Sequence, residues 1–362
     1  MARRTGDVTS TSRNQPLEEL RPDAEVVAGF RSGAGDPEDE SPAHLAVVQP
    51  GCSVAVCTFR RPRALGRFVD SLASSSLTPD ELIIADASPD DLTERLLRTH
   101  PALLRVAGRV RYFRLGESMR GLTRQRNFAL RQVRTDLVAF FDDDIVLEPD
   151  CLARLEEVHR RLGSAVVGVG ALIQDQIGSP SILWRLMRAL RMMPNLQPGR
   201  YHRSGISTPW VVTPSNGDLM AGDWLPGGAT MWRTAAAREV GFNEQFEGYG
   251  QGEDLEFSLR VRAHGALYMA GSARVQHLHE PEGRSDPIRA GYMALHNRYE
   301  IHRRALPDRT SRDVAWFVYA FSLDSLLLAR NLLRPRRWGW VLGQWRGRFR
   351  AARDLLSAVR RS

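Results

Sequence analysis

The chain has 362 residues, 43% of them hydrophobic and 25% charged, an ordinary globular composition long enough for one large domain or two medium ones. All 50 basic residues are arginine, which excludes a Walker A phosphate loop and any Schiff-base lysine chemistry. The net charge of +8 is local: from Arg284 onward there are 17 arginines and 6 acids, whereas the remainder holds 33 basic and 36 acidic residues. A basic surplus confined to one end points to an anionic partner such as lipid headgroups or nucleic acid.

Residues 1–50 are rich in Gly, Pro, Ser and acids and read as a disordered leader, with no apolar core that could serve as a signal peptide. The three cysteines, Cys52, Cys57 and Cys151, show neither metal-ligand spacing nor a paired framework, which fits a reducing compartment. Order begins with the β-type run Ser53–Cys57, ending at Thr58. A helix over Pro62–Ser74 follows, then a buried-type strand Leu82–Ala85 ending at Asp86, and a helix over Leu92–Arg98. Next come a strand Val110–Arg114, a helix Arg120–Val133 and the strongly apolar strand Leu137–Phe141, which runs into Asp142, Asp143 and Asp144. A helix Pro149–Leu162 and a strand Ala165–Ile173 complete the alternation. This order implies an α/β fold with a mostly parallel central sheet flanked by helices, whose ligands bind beyond the carboxyl ends of the strands.

Regularity fails over Gln174–Asn216, which reads as a mobile loop region, and returns near Asp223. After Pro287 the chain turns helical, basic and tryptophan-rich. The spans expected are a leader 1–50, a catalytic body 51–283 and a helical basic C-terminal region 284–362. The best candidate membrane segment, Val314–Leu333, contains Asp324 and Arg330 and makes a poor span.

Five motifs carry chemistry. Asp142-Asp143-Asp144 is a cluster of carboxylates that repel one another and call for a cation or strong donors; Mg2+ and Mn2+ favour such oxygen ligands. The plain alternative is an acidic surface turn. Asp86 also ends a strand and would share a sheet edge with that cluster; a helix cap or turn is the plain alternative. Glu253 and Asp254 open a helix behind the glycine-rich Gly248–Gly252 stretch, where the helix dipole favours carboxylates and a general base could stand. His277 and His279, at strand spacing after the acids, are plausible metal ligands. Gly121 to Asn127 places Arg124 and Arg126 at a helix start, where arginines can clamp phosphates, and helical geometry puts Arg124 beside Asn127. Gly168-Val169-Gly170 is only a fragment of a dinucleotide fingerprint, with Ile173 at its third position, and carries nothing.

In this order the motifs resemble family 2 glycosyltransferases of the GT-A type fold, from about Ser53 to His279. The stretches that carry the likeness are Cys57–Pro62, Ile83–Ser88, Gly121–Asn127, Phe140–Asp144, Leu225–Gly228, Gly252–Asp254 and His277–His279. The resemblance implies that Thr58 and Arg60 lie by the nucleoside and that Asp86 holds the base. Arg126 and Asn127 would border the nucleotide, Asp142 would contact ribose or metal, and Asp144 would bind metal. His277 or His279 would be a further ligand, Asp254 the catalytic base with Glu253 as its alternative, and Gly227-Gly228 would shape the substrate pocket, alongside Asp143. The absence of a Gln-x-x-Arg-Trp motif after Asp254 favours single additions over processive synthesis.

The expected activity is therefore a Mn2+- or Mg2+-dependent, inverting transfer of one sugar from a nucleoside-diphosphate donor to an acceptor hydroxyl on a carbohydrate or a lipid-linked glycan. The competing readings are a non-catalytic nucleotide-sugar-binding or membrane scaffold protein and a nucleotidyltransferase. The C-terminal surplus of arginine, with Trp316, Trp338, Trp340 and Trp345, is expected to lie on an anionic membrane without crossing it, which would place a cytoplasmic protein on the inner face of the cell membrane. No nucleic-acid partner is expected, and oligomer formation is left open.

Overall fold

The computed structural model of the chain describes residues 49–179, 181–193, 197–211, 218–246, 248, 250–279 and 286–359. The leader expected over 1–50 lies outside these residues except for its last two.

Side-chain alternation in the first strands sets the layers. Strand β1 (Gln49–Thr58) sends Val54 and Val56 to one face and Ala55 to the other. Strand β2 (Glu81–Asp86) is buried along its whole length, and β4 (Thr135–Asp142) splits Ala139 and Phe141 from Val138 and Phe140 in the same way. A strand that buries both faces needs helices on both, and the intervening segments supply them. Helix α1 (Pro62–Ala73), started by Pro62 in its first turn, lays Leu65, Phe68, Val69 and Leu72 on the first face, beside α4 (Cys151–Leu162). Helix α3 (Leu122–Gln132) covers the second face through Ala129 and Leu130. Helix α2 (Leu92–Thr99) and strand β3 (Arg109–Arg114) complete the parallel part.

The sheet runs β3-β2-β1-β4 and continues through β8 (Ala229–Arg233), β6 (Val166–Ile173), β9 (Ala266–His277) and β5 (Ile145–Leu147), with β7 (Leu219–Gly222) paired on β9. Its first four strands are parallel, and so is the pair β6 and β9. Strand β8 enters antiparallel between β4 and β6. The short strands β5 and β7 also pair antiparallel with β9. Gly168 and Gly170 on β6 are packing positions: a side chain at Gly168 would run into the Trp232 ring, and one at Gly170 would press on Leu225 at 3.1 Å. Helices α6 (Thr234–Val240) and α7 (Glu253–Val261) close the second face, where Phe242 stacks on Phe257 at 4.1 Å.

The described residues of the stretch 174–216 are more regular than its composition implies. It contains helix α5 (Ile182–Ala189), begun by Ser181, whose hydroxyl accepts the Trp184 amide at 3.4 Å. Met187, Met192, Met193 and Ile206 are buried against Ala320 of helix α9 (Ser311–Leu327).

The C-terminal helices pack closely on one another and on the body. Helix α8 (Pro287–Ala305) crosses α10 (Trp338–Val359) at glycines: a Cβ on Gly291 would sit 2.7 Å from the Gln344 Cα, and one on Gly343 2.6 Å from Pro287. Small residues at a crossing let two backbones approach, and any side chain there would force them apart. Asp324 is paired with Arg348 at 3.1 Å and Arg298 at 3.6 Å. The tryptophans divide. Trp316 donates to the Arg191 carbonyl and Trp345 to that of Ser325, each at 2.8 Å, whereas Trp338 and Trp340 are exposed. Among the described residues no helix is long and apolar enough to cross a membrane.

Candidate active site

Parallel register brings the strand ends together. Cys57 lies opposite Asp142, and Thr58 opposite Asp86, so the carboxyl ends of β1, β2 and β4 share one edge. A cleft of about 590 Å³ opens there, within the size range of small-molecule sites. Its floor is Thr58, Arg61 and the three consecutive aspartates; its far wall is Gly227-Gly228 and the start of α7.

The three aspartates differ in environment. Asp142 is partly exposed and accepts from Arg126 at 3.0 Å. Asp143 is buried under Thr58, whose hydroxyl donates to it at 2.7 Å, and beside Arg61 at 3.2 Å. Burial pushes the Asp143 carboxyl up to about 7, against the pull of Thr58 and Arg61. Asp144 lies 3.1 Å from His277 Nε2 and 3.5 Å from Arg61. That contact with Asp144 holds the His277 imidazole above its ordinary value.

Arg126 joins the two walls. The residue is buried, and its guanidinium reaches Glu253 at 2.6 Å, Asp142 at 3.0 Å and the Gly227 carbonyl at 2.9 Å. Burial opposes its charge, but the Glu253 and Asp142 carboxylates outweigh burial and keep it protonated. Glu253 is pushed well above the usual carboxylate range, by burial first and by neighbouring Asp254 second, and among the described residues its Oε2 has no hydrogen-bond partner. Asp254 accepts from the Gly227 amide at 3.3 Å and from the Leu255 amide at 2.7 Å; burial raises it despite both bonds.

A side chain at Gly227 or Gly228 would crowd the cleft's charged groups. A Cβ on Gly228 would collide with the Asp142 carboxylate, and one on Gly227 would stand 2.7 Å from Arg126 and 3.0 Å from Asp254. Gly228 also accepts the Asp142 amide at 3.0 Å, fixing the loop against the end of β4.

Thr58, Arg126, Asp142, Asp143, Asp144, Gly227, Gly228, Glu253, Asp254, His277 and His279 therefore line one cleft. Four other residues read as site candidates do not. Asp86 is fully buried, accepting from the Ser88 amide at 2.8 Å and from the Tyr112 hydroxyl at 2.9 Å. Arg60 has a left-handed backbone (φ 58°) and turns its guanidinium over Phe59 at 5.3 Å. Arg124 points to the outer side, bonding the Ser118 carbonyl at 3.0 Å. Asn127 grips the Phe242 backbone on both sides, donating at 2.8 Å and accepting at 2.7 Å, and so pins the turn after α6. Of the two arginine choices on α3, the cleft takes Arg126. His279 packs against His277 with ring centres 4.1 Å apart and planes tilted by 41°, but its own Nε2 meets Asp175 at 2.8 Å.

Residues without an assigned part in the sequence reading also contribute. Arg61 meets two of the aspartates. Gln125 donates to the Thr58 carbonyl at 3.0 Å and the Ala85 carbonyl at 2.9 Å, tying α3 to the ends of two strands. Asp286 and Arg289, at the start of α8, line the cleft from beyond the 283/284 boundary read from charge.

The donor set fits a divalent ion in its chemistry: carboxylate oxygens at Asp142 and Asp144 with an imidazole at His277 suit Mg2+ or Mn2+. Asp144 Oδ1 and His277 Nε2 are 3.1 Å apart, in direct contact with one another. Among the described residues no three such side chains stand together in ligating geometry.

Residues 53–207 match the family model described as Glycosyl transferase family 2. No curated protein matches the chain. Among solved structures, the chain is similar to GalNAc-T7 with UDP, GalNAc and Mn2+, at 17% identity and a TM-score of 0.53, over 76% of this chain and 50% of that one. The chain thus spans about half the length of that protein. It is also similar to the mannosyltransferase PcManGT from Pyrobaculum calidifontis in complex with GDP-Man and Mn2+, at 15% identity and a TM-score of 0.50, over 88% of this chain and 91% of that one. Identities this low show a shared fold, the GT-A fold, and nothing finer.

Proposed function

We propose that this chain, whose residues 53–207 match the glycosyl transferase family 2 model, is a glycosyltransferase that moves a single sugar, with inversion, from a nucleoside-diphosphate donor to an acceptor hydroxyl, and that it needs Mn2+ or Mg2+ to do so. One observation carries the reading. Consecutive glycines fasten opposite sides of the cleft: the Gly227 amide holds Asp254, and the Gly228 carbonyl holds the Asp142 amide. A base candidate and an acidic cluster are thereby set facing one space. Both solved structures compared above contain Mn2+ with a nucleotide or nucleotide sugar, which supports the donor class.

Asp142, Asp144 and His277 would hold the ion, which when bound would neutralise charge on the departing diphosphate. The chain's own residues do the rest. Asp254, its proton affinity raised by burial, takes the proton from the acceptor hydroxyl. That oxygen forms a bond to the anomeric carbon as the bond to the diphosphate oxygen breaks on the opposite face. Arg126 holds Asp142 and the Gly227 carbonyl in place, so the two walls keep their spacing. A lipid-linked acceptor, as in cell-surface glycan assembly, is the acceptor class we favour, because the C-terminal helices of this chain are basic.

The test is a binding screen of UDP-, GDP- and dTDP-sugars with Mn2+ or Mg2+, using the full chain and Asp144→Ala. Metal-dependent binding of at least one donor, weakened tenfold or more by the substitution, is the expected result. Failure of every nucleoside diphosphate to bind would overturn the reading.

A further inference from the structure

The outward side of α10 is apolar and basic at once. At about 100° per residue, Leu342, Arg346, Phe349, Arg353 and Leu356 fall within an arc of about 80°. All five are exposed, the three apolar ones at 47%, 76% and 63%. The opposite side of the helix, Val341, Gln344, Arg348 and Ala351, is buried against the protein. The helix is therefore already docked by one face and presents a second, unpartnered one about 21 Å long. At its amino end the chain adds Leu333 at 88% exposure, Arg334, Arg336 and Arg337, and the exposed rings of Trp338 and Trp340. From Ser325 to Ser362 there are ten arginines and one acid, Asp354.

Soluble surfaces scatter single apolar residues; they seldom align three at seven-residue spacing with arginines between them. A surface that alternates large apolar groups with guanidinium groups fits an interface where an apolar layer begins just beneath a layer of anions. We propose that this face of α10, with the Leu333–Trp340 approach to it, docks on an anionic lipid bilayer. Phe349, Leu342 and Leu356 would enter the acyl boundary while Arg346 and Arg353 meet lipid phosphates. Charge complementarity selects the partner: a second copy would set the same arginines against these, whereas the phosphates of anionic lipid offset them. The inference stands apart from the transfer chemistry, since it uses no residue of the cleft.

The experiment is co-sedimentation of the full chain with vesicles of phosphatidylcholine alone or mixed equally with phosphatidylglycerol, at low and high salt. Binding to the anionic vesicles should exceed binding to phosphatidylcholine at least tenfold and fall as salt rises. Phe349→Glu should reduce it at least fivefold, as should Arg346→Glu with Arg353→Glu, with melting temperature and donor binding unchanged. No binding at low salt, or a Phe349→Glu protein that binds like the parent, would overturn the proposal. So would a parent that ignores vesicles yet forms, in sedimentation velocity, a dimer that Phe349→Glu abolishes; that would assign the face to a second copy.

Discussion

Arg126 Nη1 stands 2.6 Å from Glu253 Oε1, an ion pair sealed from solvent between helices α3 and α7. The same guanidinium holds Asp142 and the Gly227 carbonyl, so one side chain sets the distance between the two walls of the cleft. A lysine has one ammonium in place of a planar fork and cannot serve three partners on two walls. Arg126→Lys should lower the melting temperature and reduce turnover by about a hundredfold. Arg126→Ala leaves buried carboxylates without a counter-charge and should cost roughly 3–5 kcal/mol of stability by denaturant unfolding. An Arg126→Lys enzyme with normal turnover would remove this residue from the account.

Gly228→Ala should act on the site and leave the fold. The added Cβ meets the Asp142 carboxylate, so that side chain must turn. Donor affinity should fall about tenfold or more in titration calorimetry, with the circular dichroism spectrum preserved. A serine at Gly227 should be worse, because Arg126, Asp254 and Glu253 all crowd that position. Unchanged donor affinity in Gly228→Ala would show that Asp142 takes no part in donor binding.

His159 makes a stability prediction away from the cleft. Its ring is buried, Nε2 faces the Met231 carbonyl at 3.2 Å, and burial lowers its pKa to about 4. The unfolded chain binds this proton near pH 6.5, so between about 6.5 and 4 the unfolded state holds more protons than the folded one. Stability contributed by the neutral ring is full above pH 6.5 and declines as pH falls towards 4, by about 3 kcal/mol at most. His159→Leu should therefore lose less stability than the parent between pH 7 and pH 4.5 in urea unfolding. Parallel pH profiles for the two proteins would contradict the assignment.

Much of the fold was legible from Ser53 to Ile173, because strands β1, β2, β4 and β6 are largely buried there and the helices between them each bury one side. Strands β5 and β7 were not, being three and four residues long and dependent on β9 for their pairing. Helix α5 was hidden by surrounding proline and arginine; only its Ser181 cap marks it locally. The cleft residues were found where strand ends or glycine pairs mark them. Arg126 and Arg124 show why the rest was not: both begin the same helix, and only the position of α7 decides which one is buried. Asn127 is kept off the cleft for a similar reason, since the Phe242 turn that captures it is 115 positions away. His277 and His279 come together, though not as strand neighbours: β9 stops at His277, and a left-handed turn at His279 (φ 53°) folds one ring onto the other.

Asp254 should matter to chemistry more than to donor binding, and its removal is the most direct measurement of the central claim. Asp254→Asn keeps the shape and, through its one carbonyl oxygen, one of the two amide contacts, while removing the base. With an acceptor and a nucleoside-diphosphate sugar in the presence of Mn2+, the parent should release free nucleoside diphosphate and glycoside in equal amounts. The variant should bind donor within a few-fold of the parent and turn over about a hundredfold more slowly or less. Turnover by Asp254→Asn near the parent rate, or release of pyrophosphate instead of nucleoside diphosphate, would contradict glycosyl transfer with Asp254 as its base.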